Sequence, residues 1–299
     1  MEIVEVGPRD GLQNERRALD PATRVRYIEM IVAAGATRIE AVSFARPDRV
    51  PQMAGAEEVM AGVPRASGVR YSGLVMNPRG ATRAIDCAVD EANIVVVATD
   101  EFSQRNQGAT LAETLDRLPD MVAQLHDAGI ATTVTIGAAF GCPFEGEVPV
   151  ERIAMIAETL APLPLAELAL ADTIGVAVPR DIRERFEVVR SASGHATRAH
   201  LHNTRNTGYA NALAALEVGV RALDASTGGI GGCPFAPAAT GNIATEDLLY
   251  MLERSGWTAD IDREAVISAT TFVTEQLGIE PEAMLGRAGG FPATRRRAE

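Results

Sequence analysis

Eight short runs rich in β-branched residues recur along the 299-residue chain, and each is followed by a stretch of helical period. They are IVEVG (3–7), TRIEAVSF (37–44), VRYSGLVM (69–76), ANIVVVAT (92–99), ATTVTIGAAF (131–140), LAELALADT (165–173), TRAHLHN (197–203) and RALDAST (221–227). Between them lie segments such as TLAETLDRLPDMVAQLHDAG, where Leu111, Leu115, Leu118, Val122 and Leu125 return at helical spacing. Gly35, Gly129 and Gly219 stand where a C-cap would end a helix before the next strand. Eight strand-then-helix repeats fit a closed (β/α)8 TIM barrel better than an open doubly wound sheet. We expect an α/β fold with one barrel domain over residues 1–285. Its C-terminal helices would begin near NIATEDLLYMLERSG and include another around 262–277, with a loose basic tail over 286–299.

Composition narrows the function. A net charge of −12 argues against a nucleic-acid or anionic-membrane partner, because an acidic surface cannot neutralise either. The chain opens on EIVEVG without a charged-then-apolar leader and holds no apolar run of about 18 residues, which predicts a cytoplasmic protein. Cys87, Cys142 and Cys233 are too few and too scattered for a disulfide framework or a CxxC zinc site. Cys87 reads as helical core, Cys142 as a rim residue without a base, and His126 and His195 as solvated.

Barrels of this kind carry their chemistry at the C-terminal ends of the strands, so polar residues there come first. The first strand ends in GPRDGLQNE, giving Arg9, Asp10 and Gln13; the second carries Glu40 and Ser43; the sixth ends at Asp172. The seventh carries HLH, His200 and His202, whose side chains share one face because strand side chains alternate. After the eighth comes GGIGGCPFAPAATGN, with Cys233 and Asn242. Asp10, His200, His202 and Asn242 together offer a mixed nitrogen and oxygen site for a divalent cation. Mg²⁺ or Mn²⁺ suits its oxygens, while two imidazoles suit Zn²⁺ or Co²⁺. The glycines at 228, 229, 231 and 232 do not form GxGxxG and follow the last strand, which argues against a dinucleotide site.

GPRDGLQNE, IEAVSFARPDRVPQM, GCPFEGEV, ADTIGVAVP and GGCPFAPAATGNIATEDLLYML, spread over residues 6–252, resemble the 3-hydroxy-3-methylglutaryl-CoA lyase family. That family belongs to a wider group of metal-dependent barrels that make or break carbon–carbon bonds beside a carbonyl. The resemblance implies a lyase that cleaves a 3-hydroxyacyl-CoA to acetyl-CoA and a keto acid. Citramalyl-CoA or another branched analogue is an alternative substrate, and a 2-oxo acid condensing enzyme or aldolase an alternative activity. It implies Asp10, His200, His202 and Asn242 as metal ligands. Arg9 would neutralise enolate charge, Cys233 on its Gly-rich loop would help transfer a proton, and Glu40 and Asp172 would support the ligands and the proton path. His200 is also expected to be catalytic.

TDEFSQRNQG resembles the segment where acyl-CoA approaches, which places Arg105 and Asn106 at the ligand. The pattern breaks at HLHNTRNTGYANA, where the family reads HxHDTYGQA. Exchanging a carboxylate for Asn203 and gaining Arg205 moves the local charge by about two units, so Arg205 is expected to face the substrate or the CoA path. A homodimer or higher homo-oligomer is expected.

Overall fold

The structure is a computed structural model that describes residues 1–65, 68–232 and 241–291. Eight parallel strands close into a barrel in chain order: β1 (Glu2–Glu5), β2 (Arg38–Ser43), β3 (Arg70–Val75), β4 (Glu91–Val97), β5 (Ala131–Gly137), β6 (Glu167–Asp172), β7 (Thr197–Leu201) and β8 (Ala222–Ala225). Around them run α1 (Pro21–Ala33), α2 (Ala56–Gly62), α3 (Pro78–Asp86), α4 (Asp100–Gln107), α5 (Leu111–Asp127), α6 (Val150–Leu160), α7 (Pro179–Ser193) and α8 (Gly208–Glu217). After the barrel come α9 (Thr245–Arg254), α10 (Arg263–Leu277) and the single turn α11 (Leu285–Ala288). No helix among the described residues is long and apolar enough to cross a membrane.

Local chemistry sets the boundaries. Asp20 accepts from Thr23 N–H and Pro21 opens α1, while Thr110 and Glu113 satisfy each other's backbone at the start of α5. Gly35, Gly129 and Gly219 follow α1, α5 and α8 with positive φ, in the expected stopping role. The fifth strand ends at Gly137, short of its apolar run, because Ala138 turns to a φ of 53° and gives its N–H to Thr173 Oγ1. The seventh ends at Leu201, but His202 makes an isolated bridge to Asn242 and so stays in line with His200.

The main apolar core lies between the sheet and the helices, with Tyr27, Ile28, Ile39, Leu118, Leu125, Ile136 and Phe186 buried there. A second, small apolar cluster among the described residues joins Val4, Val6 and Ala222 of the strands β1 and β8 and the turn after β1. Much of the remaining interior is polar: Arg38, Glu40, Asn93, Glu167, Arg198, His200 and Asp224 are all buried. Buried charge is costly unless paired, so each must find a partner across the barrel.

Past the barrel, Arg254 stacks its guanidinium 4.3 Å from the Phe291 ring, so the chain holds contacts up to that residue.

Candidate metal centre and active site

Arg9 and Asp10 ride on one wide turn, Gly7–Gly11, closed by Gly11 N–H reaching back five residues to the Val6 carbonyl at 3.1 Å. Such π-type turns recur at functional sites because they splay side chains away from regular helical positions. Here the turn sends Arg9 toward β2 and Asp10 toward β7. Arg9 Nε donates to Glu40 Oε2 at 2.6 Å and Nη1 to Asp10 Oδ1 at 2.7 Å. Glu40 Oε1 accepts from Asn93 Nδ2 at 2.9 Å, and Asn93 Oδ1 accepts from Thr135 Oγ1 at 2.8 Å. Burial pulls the Arg9 guanidinium down, but Glu40 and Asp10 outweigh it and keep it charged.

His200 and His202 point their Nε2 atoms at each other, 3.2 Å apart, and Asp10 Oδ2 stands 3.8 Å from His200 Nε2. The three residues present ligand atoms within 4.8 Å of one another. Burial acts first on all three. It pushes His202 down to about 4, with the neighbouring His200 adding to the effect. On His200 the hydrogen bond to Asp224 and the charge of Asp10 overcome burial and raise it. On Asp10, Arg9 and the two imidazoles overcome burial and hold the carboxyl well below the usual range.

Asn242 gives its Nδ2 to Asp10 Oδ2 at 2.9 Å, while its Oδ1 and His202 Nδ1 are buried without partners. The facing Nε2 atoms, the Asp10 carboxylate and the unpaired Asn242 Oδ1 fit a divalent cation, which takes nitrogen and oxygen donors of this kind. Gly231 lets the loop approach: its φ is 115°, and a Cβ there would sit 2.7 Å from Asn242 Nδ2.

Asp172 is fully buried at the end of β6, taking the N–H groups of Val176 at 2.8 Å and Ala177 at 3.0 Å. Burial pushes its carboxyl up to about 6 against those hydrogen bonds and the charges of His200 and Arg205. Cys233 lies outside the described residues.

The cluster of Asp10, His200 and His202 opens into a cleft of about 1140 Å³ whose wall runs past Asn93, Thr135 and Thr173 to the exposed Arg46, Arg49 and Arg117. Arg105 and Asn106 of α4 also line it. Arg105 is tethered, bonded to Glu101 at 2.6 Å with its guanidinium 4.2 Å from the Phe144 ring.

Arg205 departs from expectation. It is absent from the cleft wall and donates through Nη1 to the carbonyls of Ile174 at 2.9 Å and Gly175 at 3.0 Å. The cause is the turn itself. Asn206 sits at a φ of 57°, and Asn203 Oδ1 takes the Gly208 N–H, which swings Arg205 onto the neighbouring β6–α7 loop. Cys87 ends α3, half-buried and packed against the main core. Cys142 Sγ accepts from Thr99 Oγ1 at 3.1 Å and from the N–H groups of Phe144 and Glu145 at 3.4 Å, so it pins a turn. His126 is exposed, and His195 is half-buried with Nε2 3.4 Å from the Leu160 carbonyl.

Sequence reasoning passed over Asp224, Asn93 and Thr135. A lone Asp in the apolar run RALDAST was the available signal for the first.

Residues 1–273 match the HMGL-like family model. The chain belongs to the HMGL-like family. Relatives of this family include the (R)-citramalyl-CoA lyase of Chloroflexus aurantiacus, 43% identical over 96% of this chain and 94% of that protein. The hydroxymethylglutaryl-CoA lyase of Pseudomonas mevalonii is 38% identical, covering 96% of each chain. A solved HMG-CoA lyase from Acinetobacter baumannii, in complex with coenzyme A and 3-methylmalate, superposes with a TM-score of 0.92 at 36% identity, covering 98% of this chain and 97% of that one. In the HMGL-like barrel described here, the Arg9 turn and the His200 and His202 pair meet at one end of the cleft.

Proposed function

We propose that the protein is a divalent-metal-dependent carbon–carbon lyase. It cleaves a 3-hydroxyacyl-CoA, such as 3-hydroxy-3-methylglutaryl-CoA, to acetyl-CoA and a keto acid by retro-Claisen (aldol-type) cleavage. The observation that carries this reading is the meeting of Asp10, His200 and His202 with the Arg9 guanidinium at one end of the cleft, with Asn242 bonded to Asp10 behind them. A binding protein would need no buried cation beside its ligand set.

Asp10, His200, His202 and Asn242 would hold the cation, Mg²⁺ or Mn²⁺ on the strength of the oxygen donors, and it would polarise the oxygen on the cleaved carbon. The chain's own residues do the rest. The C3 hydroxyl gives its proton to solvent in the cleft, the C2–C3 bond breaks, and its electron pair passes to C2 and the thioester as an enolate. Arg9, fixed by Glu40 and Asp10, offers its charge to that enolate as it forms. Asp172, whose two oxygens take the N–H groups of Val176 and Ala177, would brace the β6–α7 turn behind the ligands. C2 then takes a proton, for which Cys233 is the proposed carrier, and acetyl-CoA leaves with the ketone. Arg105 and Asn106 would meet the CoA portion from α4.

A second substrate has its own support: the 43% identity to a citramalyl-CoA lyase exceeds that to the Pseudomonas mevalonii enzyme. The two substrates differ by one methylene between the carbinol carbon and the carboxylate, a difference hydrophobic contacts discriminate only modestly. Incubating the purified protein with each CoA ester and Mg²⁺ or Mn²⁺, and scoring acetyl-CoA with acetoacetate or pyruvate, decides between them. Failure to release acetyl-CoA from either ester with any divalent metal refutes the lyase reading.

A further inference from the structure

A chain of buried charges runs through the barrel interior to the metal cluster. At its far end Arg38 of β2 donates to Glu2 Oε2 at 3.0 Å and, through Nη2, to Glu91 Oε1 and Glu167 Oε2, both at 2.9 Å. The same Glu167 oxygen lies 2.9 Å from Arg198 Nε of β7. Arg198 Nη1 donates to Asp224 Oδ1 at 2.8 Å, and the other oxygen, Asp224 Oδ2, is 3.0 Å from His200 Nδ1. Arg198 and Asp224 side chains are 2% and 4% exposed, so water competes for neither.

We propose that Asp224 is a positioning residue for the metal centre and that Arg198 holds it in place. Through Asp224 the interior ion pairs fix His200 with its hydrogen on Nδ1 and its Nε2 lone pair aimed at the cation. The inference rests on the metal reading above.

Three features carry it. First, Asp224 faces His200 directly in the β7–β8 register, so backbone pairing sets their approach. Second, both carboxylate oxygens are engaged on opposite sides, which prevents the carboxylate from turning away from the imidazole. The planar guanidinium sets Nη1 on Asp224 Oδ1 with Nε 2.9 Å from Glu167 Oε2, a fixed two-sided geometry that the single nitrogen of an ammonium does not reproduce. Third, the two histidines differ. A neutral imidazole has two tautomers, and an anionic acceptor at Nδ1 selects the form with a free Nε2 lone pair. His202 Nδ1 has no partner to make that selection, so preorganisation of the pair falls on His200. Carboxylates behind metal-binding imidazoles commonly set ligand orientation, and their loss weakens metal binding by roughly 10–100-fold.

The test uses the full chain and two readouts. Long-range ¹H–¹⁵N correlation spectra of the metal-free protein report the tautomer of each histidine, with His200 assigned by its loss in His200→Gln. Titration with Mn²⁺, followed by the paramagnetic resonance of the free ion, gives the dissociation constant. The wild-type spectrum should show His200 protonated at Nδ1. Asp224→Asn should mix or reverse that tautomer and weaken Mn²⁺ binding by roughly 10–100-fold. Arg198→Lys, which keeps the charge, should do the same to a smaller degree and serves if Asp224→Asn fails to fold. A purely structural role would lower the melting temperature and leave the tautomer alone. An unchanged His200 tautomer, with Mn²⁺ bound as tightly as by wild type, overturns the proposal. Absence of Mn²⁺ binding by the wild type would instead refute the metal reading, while the metal-free spectra still decide whether Asp224 sets the tautomer.

Discussion

Replacing Arg9 by Met tests whether its guanidinium serves stability, chemistry or both. Arg9 supplies two of the contacts around Glu40, through Nε and Nη2, and one of those around Asp10. Glu40 would then keep only Asn93 as a donor, in a pocket where its side chain is 1% exposed. Stranding one partner of a buried ion pair costs about 3–5 kcal/mol, so Arg9→Met should lose that much stability in chemical denaturation. Removing a group that acts on charge appearing only in the transition state should cost kcat about 3 kcal/mol, roughly a hundredfold, with KM little altered. The double variant Arg9→Met with Glu40→Gln separates the two losses. An amide needs no counter-charge, so stability should return toward wild type while turnover stays at the single-variant level. Recovery of turnover in the double variant, or a double variant as unstable as the single, would refute the reasoning.

Three further outcomes follow from the site. His202→Ala should abolish metal retention and turnover yet melt close to the wild type when both are metal-free, since Nδ1 has no hydrogen bond to lose and Nε2 meets only His200; elemental analysis and calorimetry check this, and full metal occupancy would remove His202 from the ligand set. Arg205→Met should loosen the β6–α7 loop and leave the kcat/KM ratio between the two candidate CoA esters within about threefold, whereas a tenfold shift would mean the guanidinium reaches substrate. Glu246, buried against Thr270 Oγ1 and Gly228 N–H, is pushed up to about 7 by burial from its ordinary 4.5. A raised carboxyl favours the folded state in its protonated form. Its stabilising contribution is therefore complete below 4.5 and lost as pH rises through about 7, and Glu246→Gln should flatten the stability-against-pH curve between those values.

Much of this molecule is legible in its sequence because strand alternation and barrel topology work together. Eight β-branched runs predict the closed sheet, and the topology then places residues 9, 10, 200 and 202 at one rim without any knowledge of contacts. The HLH spacing survives even though β7 stops at Leu201, because the bridge from His202 to Asn242 continues the extended backbone. What the sequence conceals depends on register. A charged residue within a strand reads equally as inward or outward, so the link from Arg38 to Asp224 emerges only once β7 and β8 are aligned. Arg205 is concealed for a different reason. Its direction follows from the left-handed Asn206 and the cap made by Asn203, and a loop's path is set by such local turns, not by the charge of the residue it carries.

The hydrogen bond between Asn242 and Asp10 joins residues 232 apart in the chain, and β1 pairs with β8 at Glu2, Ile3, Val4 and Glu5 but with β2 at Glu5 alone. Strand β1 thus depends on the last strand of the barrel before Arg9 and Asp10 have a site to belong to. A chain halted after β6 would already own Arg9, Glu40 and Asp172 yet could bind no metal in this way, because both imidazoles and the amide lie beyond it. Capture of a cation by these ligands would therefore be tied to closure of the ring and not to any single repeat. Ion binding would in turn brace the seam between β1 and β8, since a ligand that binds only the closed form stabilises that form.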